Sequence, residues 1–299
     1  MQELQEEKGL HNKTIAIFTA THVSFDPPNN PIYIPLHVGK YGKQDLGYIG
    51  DDTGENISDL NLFFAELTGL YWIWQNIHDI DYAGLCHYRR YFINEYGCEL
   101  NKNEYLQILM NYDAIVPIHA ECTPDYREHY GRAHNVNDLD AVGRAIKKVY
   151  PEYMQAYDQV MGGKAFYGGN LFVTSLEILK SYSEWLFTIF SEAGEEIDAS
   201  GYDGYQKKVY GFLGEQMFYV YAVANGLTLY EQTVGISDEK AETKNLKVRL
   251  NKMLGEGRLK EARALFDKEL ANRPDLLLPG SDIGKELQKI YEQLCGESE

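Results

Sequence analysis

Between residues 14 and 232, short apolar runs rich in β-branched residues alternate with longer stretches whose apolar residues recur at helical spacing. Runs of this length, apolar throughout, read as strands buried on both faces. Parallel strands need long crossovers between them, and helices supply these. The runs at 14–20, 81–86, 113–117, 165–174 and 227–232 are the predicted strands, with shorter extended pieces at 32–38 and 46–49. Helices are expected over about 59–76 (capped by Ser58 or Asp59), near 101–111, over 137–149 (opened by Asn137 or Asp138), over 175–192, and from Gly211 to about 224. The alternation predicts an α/β domain on a mixed or mostly parallel sheet, whose ligands gather at the carboxyl ends of the strands. Residues 22–56, rich in Pro, Gly, Asn, Asp and Tyr, form a long irregular stretch of the kind that often carries function.

Charge divides the chain in two. Residues 244–299 hold 11 basic and 10 acidic side chains, leaving 17 and 35 to residues 1–243, so the first part carries −18 and the tail +1. The expected boundary is 1–240 for the α/β domain and 241–299 for a helical extension. In that extension Leu246, Leu250, Met253 and Leu254 precede a Gly255–Gly257 turn. Leu259, Ala262, Leu265, Phe266 and Leu270 follow it and stop at Pro274-Asp275, a single tetratricopeptide-like hairpin with a last helix at 282–294. The acidic balance excludes a general nucleic-acid binder, which needs a basic face against phosphates. Cys86, Cys98, Cys122 and Cys295 show no paired spacing, so no disulfide framework is indicated and a reducing, cytoplasmic setting is expected. The acidic leader at 1–13 has no apolar signal-peptide core, and no window approaches the ~18 apolar residues of a membrane span.

The sharpest local signal is His87-Tyr88-Arg89-Arg90, three basic side chains directly after an apolar strand in the acidic part of the chain. A guanidinium matches phosphate oxygens bidentately, so the cluster reads as an anion subsite; the alternative is a set of scaffold salt bridges to surplus carboxylates. Gly168-Gly169-Asn170, inside an apolar run, marks either a bulge or a close backbone approach, with Asn170 able to bond a sugar hydroxyl. Glu215, read as first-turn in its helix, is either a cap favoured by the helix dipole or a general base. Asp52, in the long loop, is the reserve base. Glu66, Thr68 and Asn76 either line a cavity or lie exposed on a half-buried helix. For metals, Asp79/Asp81 precede their strand, Asp138/Asp140 sit at a helix start, and the set His119, Glu121, Asp125, His129 and His134 follows no standard zinc spacing. Twenty-four tyrosines offer flat faces to sugars, or simply an aromatic core.

TGENIS at 53–58, ELTGLYW at 66–72 and YAGLCHYRRYF at 82–92 resemble a bacterial family long catalogued as a domain of unknown function. DAIVP at 113–117, NLF at 170–172, YSEWLF at 182–187 and GFLGEQ at 211–216 continue the likeness over about residues 13–232; Gln216 stands where an arginine is expected. Members occur among capsular and exopolysaccharide biosynthesis proteins and are regarded as glycosyltransferases, some as galactofuranosyltransferases. The resemblance implies a GT-A-like fold, a UDP-sugar donor, a glycan or lipid-linked acceptor and work at the inner membrane face. It places His87, Arg89 and Arg90 against the leaving diphosphate, Gly169 and Asn170 beside donor and acceptor, and Glu215 as base. It leaves room for a divalent cation, manganese or magnesium. A non-catalytic glycan- or nucleotide-binding module, or a scaffold using the C-terminal helices, is the alternative.

Overall fold

The computed structural model describes residues 12–236, 241–272, 276 and 282–296. The leader up to residue 11 and the Pro274-Asp275 stop lie outside them. The chain divides into two compact units at Gly235/Ile236. The first opens with β1 (Ile15–Thr21), β2 (Tyr33–His37), β3 (Ile49–Gly50), α1 (Asn61–Phe64), α2 (Leu67–Asn76), β4 (Tyr82–His87) and β5 (Arg90–Phe92). It continues through α3 (Lys102–Leu109), β6 (Ala114–Pro117), β7 (Ala120–Glu121), α4 (Tyr126–Gly131), α5 (Val136–Val149) and α6 (Met154–Met161). β8 (Ala165–Phe166), β9 (Phe172–Ser175), α7 (Leu176–Ala193), α8 (Val209–Asn225), β10 (Leu229–Gln232) and β11 (Val234–Ile236) follow. The C-terminal unit holds α9 (Ala241–Gly255), α10 (Leu259–Asn272) and α11 (Asp282–Gly296), packed around Leu246, Leu250, Ala262, Phe266, Leu287, Ile290 and Leu294.

The main sheet runs β10-β6-β9-β4-β1-β2-β3. Every pair in it is parallel except those of β9 with β4 and β6. This is the mixed, mostly parallel α/β sheet expected. All seven residues of β1 are buried, as a strand covered on both faces requires. Ile15 and Ile17 pack with Tyr105 and Leu109 of α3, whereas Phe18 meets Trp72 of α2, so successive side chains serve opposite layers. On the second face Phe172 stacks on Phe218 of α8 and meets Tyr182 of α7 edge-on. Because β9 is antiparallel to both neighbours, its beginning lies beside the ends of β4 and β6.

Four expectations change. The helix expected over 59–76 is broken: a 3-10 turn at Ser58–Leu60 and α1 end at Ala65, whose φ is +48°, and α2 starts afresh. Ser58 does not cap; its hydroxyl donates to Asp51. The strand at 165–174 is interrupted at 167–171, with Gly169 at φ +94° and Asn170 at φ +51°. His87-Tyr88-Arg89-Arg90 lies at the end of β4 as expected, and it closes a hairpin there, with His87 paired to Arg90 across a two-residue turn. The fifth helix starts earlier than expected, at Val209, which puts Glu215 in the second turn, beyond the reach of a first-turn dipole argument. Smaller differences have local causes, since Asn135, not Asn137 or Asp138, caps α5 by accepting from the Asn137 amide.

Candidate active site

The parallel strands place His87, Arg90, Gly169 and Asn170 together at the carboxyl edge of the sheet, where β4 and the start of β9 adjoin. The hairpin turns Arg90 back, and its Nη1 lies over the Gly169 backbone, 2.8 Å from where a β-carbon would sit. Only glycine leaves that space, and its positive φ is one that other residues adopt at a cost. Among the described residues Arg90 makes no ion pair with a carboxylate. Arg89, at the tip of the turn, stacks its guanidinium 4.7 Å from the centre of the Tyr88 ring.

His87 bonds the Gly169 backbone, and its Nε2 is sealed from solvent 3.8 Å from Glu66 Oε1, too far for a hydrogen bond. Burial, reinforced by Arg90 and Arg89 and opposed by Glu66, lowers its pKa to about 4. The imidazole expected as a third cation is therefore neutral at pH 7, a correction that follows from desolvation outweighing one nearby carboxylate.

Glu66 occupies the N-cap position of α2 yet makes no capping bond. Its carboxylate instead accepts a 2.6 Å hydrogen bond from Asn170 Nδ2, which also donates to the Gly211 carbonyl. Gly211 and Gly214 let α8 come close, since β-carbons there would meet Ala65 and Asn170 at 3.1 and 3.0 Å. Ala65 and Asn170 are the two non-glycine residues with positive φ among the described residues, and they flank this one contact. Backbone held in sparsely populated regions needs surroundings that over-determine it, and such positions concentrate at functional sites. Glu66 was one of several polar residues on its helix in the sequence. Its use of a cap position for a tertiary contact appears only once Asn170 is brought across.

The remaining predicted residues fall elsewhere. Asp52 lies at the end of β3, three strands from β4, with Lys40 Nζ at 3.9 Å. Its neighbour Asp51 is fully buried and accepts from the amides of Gly39 and Lys40 and the hydroxyls of Ser58 and Thr68, pinning α2 and the long loop. Asn76 bonds the backbone of Glu55, so it and Thr68 serve the scaffold. Glu215 lines a narrow cavity of about 10 Å³ with Tyr167, Asn170, Gly214 and Tyr219. That is room for no more than about one water. Gln216 is buried and bonds the Tyr167 amide and the Ala165 carbonyl, a neutral role that an arginine would fill poorly.

The histidine-rich segment disperses. His129 packs on Phe166, His134 stacks on Phe212 at 4.1 Å, and His119 bonds Glu231. Asp81 is held by Lys13 and Thr14, which lower its pKa to about 2, and Asp140 pairs with Arg127. Among the described residues no three His, Cys, Asp or Glu side chains gather as a metal site. No helix among them is long and apolar enough to cross a membrane.

The family model described as Domain of unknown function (DUF4422) matches residues 16–226. The chain belongs to that family. Its fold is similar to the apo structure of WbbM, a bifunctional glycosyltransferase, with a TM-score of 0.69 and 29% sequence identity over 76% of this chain and 46% of WbbM. The chain thus spans under half the length of that protein. No curated protein sequence matches it. The site assembled here, from the end of β4 to the start of α8, lies within the family match.

Proposed function

We propose that this member of the DUF4422 family is a glycosyltransferase that takes its sugar from a nucleoside-diphosphate donor. The observation that carries the reading is Arg90, lodged over Gly169 at the carboxyl edge of the sheet with no protein carboxylate paired to it, in a segment whose net charge is strongly negative. Surplus carboxylates surround the fold, yet none among the described residues neutralises this guanidinium. A diphosphate supplies the missing charge bidentately. The likeness to WbbM supports the reaction class, and the resemblance in the HYRRYF hairpin supports a UDP-hexose, galactose in furanose or pyranose form, and a lipid-linked glycan acceptor at the inner membrane face.

In this reading Arg90 and Arg89 take up charge at the carboxyl edge of the sheet as the sugar–phosphate bond breaks. Phosphate oxygens beside His87 would draw its pKa up from the low value that burial sets in the free protein. Asn170, tied to Glu66 and the Gly211 carbonyl, fixes the turn that carries Gly169 under Arg90.

The test is binding before chemistry. UDP raises the melting temperature of the wild-type chain, and UDP-hexoses release UDP on incubation; Arg90→Ala abolishes both while leaving the unliganded melting temperature within a few degrees. Equal UDP stabilisation of wild type and Arg90→Ala, or no stabilisation by UDP or any UDP-hexose with or without manganese, overturns the reading. A module that binds glycan without turnover would be stabilised by UDP-sugar and release no UDP.

A further inference from the structure

One cluster at the same sheet edge is unused by this reading. His119, two residues beyond the end of β6, places Nδ1 2.6 Å from Glu231 Oε1 on β10. The Tyr167 hydroxyl donates to that same oxygen at 2.6 Å, and the His119 amide donates to the same carboxylate. Burial pulls the Glu231 carboxyl up, but these donors outweigh it and leave its pKa below the ordinary glutamate value. Glu231 is therefore ionised and acceptor-only, so the Nδ1 facing it carries a proton, and in the neutral imidazole Nε2 holds the lone pair. Among the described residues Nε2 has no hydrogen-bond partner, and the side chain is 37% exposed. An imidazole fixed by a carboxylate through one nitrogen, with the other nitrogen open, is the arrangement of a general base.

Its position is at the sheet edge that holds Arg90. β9 separates β6 from β4, so the ends of those strands lie roughly 10 Å apart at ordinary inter-strand spacing. The turn at 167–170 bridges them: Tyr167 contacts Glu231 on one side, and Gly169 underlies Arg90 on the other.

We propose that His119 is the base of the transfer, with Glu231 and Tyr167 as its positioning residues, a role for which Glu215 is too confined and Asp52 too distant. The inference rests on the transferase reading above. The acceptor O–H bond breaks and its proton passes to His119 Nε2. The oxygen forms the new bond to the anomeric carbon. The bond from that carbon to the diphosphate oxygen breaks, and its electron pair leaves with the nucleoside diphosphate toward Arg90. The imidazolium returns its proton to solvent.

The experiment uses the full chain and UDP release from a panel of UDP-hexoses, with water as acceptor, on the donor that wild type turns over. His119→Ala lowers kcat at least 100-fold, leaves the UDP dissociation constant within twofold, and recovers at least tenfold with added imidazole. Glu231→Gln lowers kcat about tenfold or more with KM little changed. His119→Ala that retains kcat, or that loses it without imidazole rescue while Glu215→Gln is equally inactive, overturns the assignment and leaves the transferase reading standing, since UDP binding and its loss in Arg90→Ala are measured separately. No UDP binding and no turnover of any donor overturns both.

Discussion

The low pKa of His87 makes a stability prediction independent of any ligand. In the unfolded chain a histidine titrates near the ordinary value of 6.5, whereas in the fold burial holds this one at about 4. Between those values the unfolded state binds the proton and the native state does not, so lowering pH favours unfolding; the penalty is absent above 6.5 and complete below 4. Each unit is worth about 1.4 kcal/mol, so the full penalty is about 3 kcal/mol, and about 2 kcal/mol of it is reached on going from pH 7 to pH 5. His87→Gln removes the group that titrates. It loses packing at pH 7 but escapes the acid penalty, so its deficit relative to wild type shrinks by about 2 kcal/mol at pH 5. Urea unfolding followed by tryptophan fluorescence reads this out in the relevant unit, since Trp72, Trp74 and Trp185 all precede residue 236. Stability differences that stay constant from pH 7 to 5 would refute the argument, because His87 would then titrate alike folded and unfolded.

Two further substitutions test the architecture behind the pocket. Gly169→Ala places a methyl 2.8 Å from Arg90 Nη1 and 2.9 Å from Leu171 Cδ1 at a φ of +94°. It should destabilise by about 1–3 kcal/mol and weaken UDP binding about tenfold by displacing Arg90; paired denaturation and titration calorimetry check this, and unchanged affinity would detach Arg90 from the ligand. Asp51→Asn replaces an acceptor of four hydrogen bonds by a group that must present two donors to them. A loss of about 2–4 kcal/mol in urea unfolding is expected, and less than about 1 kcal/mol would show that the loop–α2 junction is held otherwise.

The strands and their order of layers were legible because apolar runs buried on both faces have few other ways to fold; β1, β4 and β6 fall within a residue or so of the runs that predict them. What escaped was decided across the chain. The break at Ala65 is invisible in a segment whose apolar spacing stays helical on both sides. It arises where Asn61 donates to the Ala65 carbonyl and Gly211, lacking a side chain, lets α8 approach the Ala65 methyl from 146 positions away. Basic residues after a strand were readable as a charge cluster, but whether His87 would be charged depended on its burial between β4 and Gly169. His119 and Glu231 are the clearest case. In the sequence His119 belongs with its histidine-rich neighbours and Glu231 with the predicted strand at 227–232, 112 positions away, and only the parallel pairing of β6 with β10 brings them together. A short run of like residues draws attention in a sequence because it is contiguous. Catalytic pairs of opposite character are assembled by sheet topology, so the signal that could find this pair is a histidine and a glutamate each at the carboxyl end of a predicted strand.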